Sequence, residues 1–145
     1  MTEKELQQYI SIKKEIKDLD KRIEQEYSKE ITAVAGKVKG SLACFPYTEV
    51  RTSVLLDDPT ELAARDKLIA TRKSKREQLE AKALEIETFV NCIEDSETRI
   101  IFKYRFLDDM KQREVAEKVN LERSTVSKRI TEYLKNHTNH KNSVL

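Results

Sequence analysis

The stretch VAEKVNLERSTVSKRI, Val115 to Ile130, holds the residues of this chain best suited to recognising another molecule. Arg123, Ser124, Thr125, Ser127, Lys128 and Arg129 crowd its second half. Guanidinium and ammonium groups donate to guanine edges or phosphate oxygens, and hydroxyls bond either. From Arg123 to Lys141 five Lys and Arg stand against Glu132 alone, although the whole chain carries only +2. The positive charge is therefore concentrated where a binding face would lie. Lys111 and Gln112, at the start of the preceding helix, complete the candidate DNA-binding set.

Other chemistries find little footing. The chain has no Gly-rich phosphate loop, no nucleophile elbow and no carboxylate pair set apart from its surface charge, so an enzyme is not expected. His137 and His140 have an HxxH spacing, but the cysteines lie far off in sequence, and neither a metal nor a cofactor is expected. Cys44 and Cys92 read as ordinary reduced thiols. The run RKSKR, Arg72 to Arg76, reads as a solvated helix face.

Long charged helices must position the candidate set. Of 145 residues, 38% are hydrophobic and 37% charged, with two Gly and two Pro, a composition typical of extended helices. Thr2 and Glu5 have the spacing of a capping box. Tyr9, Ile12, Ile16, Leu19 and Ile23 then follow at alternating steps of three and four, a heptad seam. Residues 31–57, with Gly36, Gly40, Pro46 and the alternating TEVRTSV, read as a long irregular connection that holds at most a short β-like piece. Asp58, Pro59 and Glu61 predict the cap, first position and capping-box partner of a second long helix. It runs to about Ile93 with Leu62, Ile69, Leu79, Ala83, Ile86 and Val90 on its seam, interrupted by Arg72 and Arg76. Antiparallel pairing of the two helices is the natural solution within one chain. The same seam could serve a homodimer.

From Asp95 the rhythm changes to short helices. Ser96 is the expected cap of one with Ile100, Ile101, Tyr104 and Leu107 inward. Asp109 with Gln112 predicts the capping box of the next, with Val115, Ala116 and Val119 inward. Asn120 is placed to end that helix in a left-handed conformation, and Leu121 to tuck under the last helix. Val126, Ile130, Tyr133 and Leu134 form that helix's inner face, and the polar tail after Lys135 is expected to fray. Two short helices with a three- or four-residue turn and this inward pattern have the helix-turn-helix signature.

At these residues the chain resembles a known family. RIIFKYRFLDDMKQREVAEKVNLERSTVSKRITEYL resembles region 4 of bacterial sigma factors, and the wider layout is similar to RinA/ArpU-type phage transcriptional regulators. The resemblance covers roughly Ile93 to Leu134. It implies a sequence-specific duplex DNA-binding regulator, a phage or prophage activator with Arg123, Ser124, Thr125, Ser127, Lys128 and Arg129 facing DNA. Asn120 and Glu122 depart from the Gly and the Ser or Thr usual in that family.

The expected fold is all-α: a long-helix oligomerisation arm over 1–93, a helix-turn-helix domain over 94–136 and a flexible tail over 137–145. The expected partners are duplex DNA, further copies of the chain (a dimer favoured) and RNA polymerase, with no membrane. The N-terminus MTEKELQQYI is charged from its third residue and reads as no secretory signal, so the expected location is the bacterial cytoplasm. Two alternatives stay open: an adaptor docking on RNA polymerase or another regulator, and a DNA-recognition subunit like those of phage packaging enzymes.

Overall fold

The computed structural model describes the backbone of residues 1–41 and 49–142, and the side chains of 1–34 and 55–139. The chain is mostly helical, with one two-stranded sheet. Two helices dominate, α1 (Glu3–Ser28) and α2 (Pro59–Asn91). Thr2 starts α1 as its spacing predicts: its N–H donates to Glu5 Oε2 at 2.6 Å, and its hydroxyl accepts from the Glu5 N–H at 3.4 Å. Two compact units divide the chain, one of residues 1–19 with 75–145, the other of residues 20–74.

In the smaller unit the expected connection is replaced by a paired ribbon. Strands β1 (Ala33–Ser41) and β2 (Glu49–Asp57) run antiparallel, in register from Ala33 opposite Asp57 to Ser41 opposite Glu49. The nine-residue ladder satisfies the backbone groups along one edge of each strand, which an irregular loop would leave to water. The β-branched and apolar residues of VRTSVLL favour the extended form. The chain is otherwise helical, as the all-α expectation has it, and the β-like piece is this two-stranded ribbon. Asp58 does cap α2, accepting from the Thr60 N–H at 2.9 Å. Glu61 does not close a capping box. The Asp58 N–H is already bonded to the Thr32 carbonyl, and Glu61 instead accepts from the Thr32 N–H and hydroxyl at 2.9 and 3.0 Å. Ile23 and Ile69 are buried. Arg72, on the seam, reaches the buried Glu26 at 3.2 Å and the Arg22 carbonyl at 3.2 Å.

The larger unit holds the main core. Leu6, Tyr9 and Ile12 of α1 share one apolar cluster with Leu79, Ala83, Ile86 and Val90 of α2. Ile16 and Leu19 of the seam are partly buried against the same cluster. The Tyr9 hydroxyl donates to Glu87, and its burial together with that carboxylate pushes its pKa up to about 12.

The same cluster continues into three shorter helices, α3 (Ser96–Phe102), α4 (Gln112–Val119) and α5 (Arg123–Asn142). Asp95, one residue before the expected Ser96, caps α3. Its carboxylate accepts from the Thr98 N–H at 2.9 Å and the Thr98 hydroxyl at 2.5 Å, which hold its pKa below the usual carboxylate range. A π-helical turn, Lys103–Leu107, follows α3 without a break. Ile101, Phe102 and Phe106 are buried, while Ile100 is 40% exposed. Asp109 is not the cap of α4; it sits in the left-handed region at φ 56° as a turn residue. The cap position falls to Lys111, whose N–H donates to Glu114 at 2.9 Å.

Candidate nucleic-acid interface

The angle between α4 and α5 is set at Asn120. Its φ of 54° and ψ of 43° are left-handed, and its N–H donates to the Ala116 carbonyl. The Leu121 N–H donates to the same carbonyl at 3.0 Å, a bond that closes the end of α4 and turns the chain at once. Leu121 packs against the core. Glu122 stands at the cap position of α5: its carbonyl accepts from the Val126 N–H at 3.1 Å, and the Ser124 hydroxyl reaches its carboxylate at 3.4 Å.

Burial decides which side chains of α5 can meet a partner. Val126 and Ile130 are 0% and 2% exposed, and Leu134 is buried one turn on. Four residues apart on the opposite side lie Ser124 and Lys128, both exposed, with Glu132 next in the row. Ser124, Thr125, Lys128, Arg129 and Glu132 line one shallow open depression. Thr125 and Ser127 are half-buried, and Ser127 is not among the lining residues.

Arg129 is diverted. Its guanidinium donates to Glu97 Oε2 at 2.6 Å, tying α5 to the first turn of α3. That hydrogen bond and the negative charges of Glu97 and Asp95 raise its pKa. Of the six expected α5 residues, Arg129 is thus engaged inside the protein.

Arg123, at the other flank, joins a second group. Arg105 of the π-turn, Lys111, Gln112 and Arg113 of the α4 start, and Arg123 line a second open basin. The expected residues Lys111, Gln112 and Arg123 are therefore brought together. Arg105 and Arg113 were not expected. Both lie outside VAEKVNLERSTVSKRI, and nothing in the spacing of a lone arginine on α3's continuation signals the π-turn that turns it here. Arg105 Nη1 donates to the Met110 carbonyl at 3.1 Å, and its guanidinium carbon lies 5.8 Å from the Phe106 ring centre.

Three other sequence features fall elsewhere. Within RKSKR, Arg72 bonds Glu26, Lys73 meets the Tyr27 hydroxyl at 3.1 Å and Arg76 meets Glu80 at 3.2 Å, all along helix faces. His137 stacks on Tyr133 and meets Phe89 edge-on, at centroid distances of 5.9 and 5.1 Å. α5 runs past Lys135 to Asn142, where a frayed tail was expected. Cys92 is a free, exposed thiol, and Cys44 lies outside the described residues. Among the described residues no group of three His, Cys, Asp or Glu is placed to hold a metal, and no helix is long and apolar enough to cross a membrane.

Compared with known proteins, the chain matches no family model, no curated protein and no solved structure.

Proposed function

We propose that this chain is a sequence-specific duplex DNA-binding regulator of transcription, with α4, the Asn120 turn and α5 acting as a helix-turn-helix. The observation that carries the reading is the burial of Val126 and Ile130 beneath α5, which leaves Ser124 and Lys128 outward at the helix start. A helix fixed this way presents its first turns to a major groove. Following the resemblance to RinA/ArpU-type regulators, the chain is of phage or prophage type and acts in the bacterial cytoplasm. It binds as a homo-oligomer, since one short helix makes few base contacts and paired half-sites add affinity.

The test is an anisotropy titration of the full chain against labelled duplexes from its own promoter regions. Ser124→Ala with Lys128→Ala weakens binding at least tenfold, on the scale of about 1–3 kcal/mol per specific contact. Unchanged binding overturns the assignment of α5.

A second reading, an adaptor docking on RNA polymerase, draws on the exposed apolar Leu84 and Ile100. It predicts polymerase capture that survives the Ser124→Ala, Lys128→Ala change and fails with Leu84→Glu.

A further inference from the structure

We propose that Arg105, Lys111, Gln112, Arg113 and Arg123 form a seat for one phosphate group, which in the DNA-binding reading, on which this assignment rests, is a phosphodiester beside the recognised groove. Four cations from the π-turn, the start of α4 and the start of α5 line a single basin. Several arginines elsewhere in the described chain have carboxylate partners: Arg72 with Glu26, Arg76 with Glu80, Arg129 with Glu97. Among the described residues no carboxylate forms an ion pair with the side chains of Arg105, Lys111 or Arg123, and Glu114 meets Lys111 only at its backbone N–H, at 2.9 Å. Arg113 meets Glu117 at 3.5 Å, but both side chains are largely exposed, so water screens that pair. Like charges gathered without counter-charge repel one another, and an anion in the basin relieves that repulsion.

Arg105 is prepared for the role. The Met110 carbonyl and the Phe106 ring hold its guanidinium, and its Nε–H is buried with no acceptor. A fork already held in place loses less freedom on binding, and its planar donors match a phosphate better than a single ammonium does. The start of α4 adds to it. An ammonium has no lone pair, so Lys111 at the cap position cannot accept from the first-turn N–H groups as Ser or Asp would. Those amides, at the positive end of the helix dipole, favour an anion. Arg105 thus extends the interface to a residue outside both helices of the turn motif.

Side-chain arginine NMR on the full chain tests the seat with inorganic phosphate as the probe. The Arg105 and Arg123 Nε–H signals shift saturably. The signal of Arg65, whose Nε–H is likewise buried and unbonded but lies on α2, does not. Arg105→Gln abolishes the Arg123 response, and Arg105→Lys, which keeps the charge, checks that the fold survives. Absence of a saturable shift, or an equal shift at Arg65, overturns the seat. Duplex DNA then identifies the source of the phosphate. Arg105→Gln lowers affinity for all duplexes evenly and flattens the salt dependence by about one counterion. An unchanged salt slope overturns the phosphodiester assignment. A saturable phosphate response in a chain that binds no duplex upholds the seat and sinks the DNA-binding reading.

Discussion

Arg129 Nη1 donates to Glu97 Oε2 at 2.6 Å, so a cation that the sequence assigns to the outward face of α5 instead ties that helix to α3. Both side chains are partly exposed, so the pair orients more than it stabilises. Arg129→Ala therefore weakens DNA binding less than Lys128→Ala and leaves the preferred sequence unchanged. Glu97→Gln frees the guanidinium and removes a negative charge near the interface, so duplex affinity rises. Parallel titrations of the three variants check the order.

Asn120 makes a sharper claim about the turn. A left-handed residue with a Cβ other than Asn or Asp costs roughly 1–2 kcal/mol, and Gly relieves that cost. Asn120→Ala lowers the stability measured by urea unfolding by about that amount, whereas Asn120→Gly is neutral or slightly stabilising. Equal effects of the two would contradict the left-handed geometry.

Much of this was legible in the sequence, and the misses have physical causes. Thr2 with Glu5, the seam through Tyr9, Ile12 and Ile23, the left-handed Asn120 and the inward Val115, Ala116, Val126 and Ile130 depend on neighbours within a turn or two, which spacing records. Phe102 and Phe106 take the inner face with Ile101 in place of Ile100 and Tyr104, because both rows have four-residue spacing and local pattern alone does not choose between them. The ribbon was read as irregular because Gly36 and Gly40 interrupt β1, and strand pairing is a long-range event. Glu61 binding Thr32, Arg129 binding Glu97 and His137 packing on Phe89 each join residues tens of positions apart, beyond what local pattern can report.

Phe102 is fully buried between Phe106 and Tyr133, with ring centroids at 5.4 and 5.2 Å. Phe102→Ala removes about 3–5 kcal/mol of stability, while truncation of the exposed Ile100 changes it little. Thermal unfolding of both variants distinguishes this register from one with Ile100 inward and Phe102 outward, which predicts the reverse.

Asp95 and Tyr9 each contribute to the pH dependence. Thr98 holds Asp95 below the usual carboxylate range, so its contribution is complete above the unfolded value and is lost as pH falls through the lower folded one. Asp95→Asn removes this acid-side loss. Tyr9 behaves oppositely. With a folded pKa of about 12 against 10.0, its contribution is complete below pH 10 and is lost as pH rises toward 12. Tyrosinate absorbance shows Tyr9 ionising late, and Tyr9→Phe flattens the alkaline fall in unfolding free energy.

The central claim, that α5 reads DNA sequence, is tested most directly by selecting duplexes from a random pool with the full chain and measuring the winners against unselected DNA at physiological salt. The account predicts one enriched motif, bound on the order of a thousandfold or more tighter than unselected duplex, with the preference lost in Ser124→Ala, Lys128→Ala. No enriched motif, or an identical motif and affinity in the variant, would contradict it.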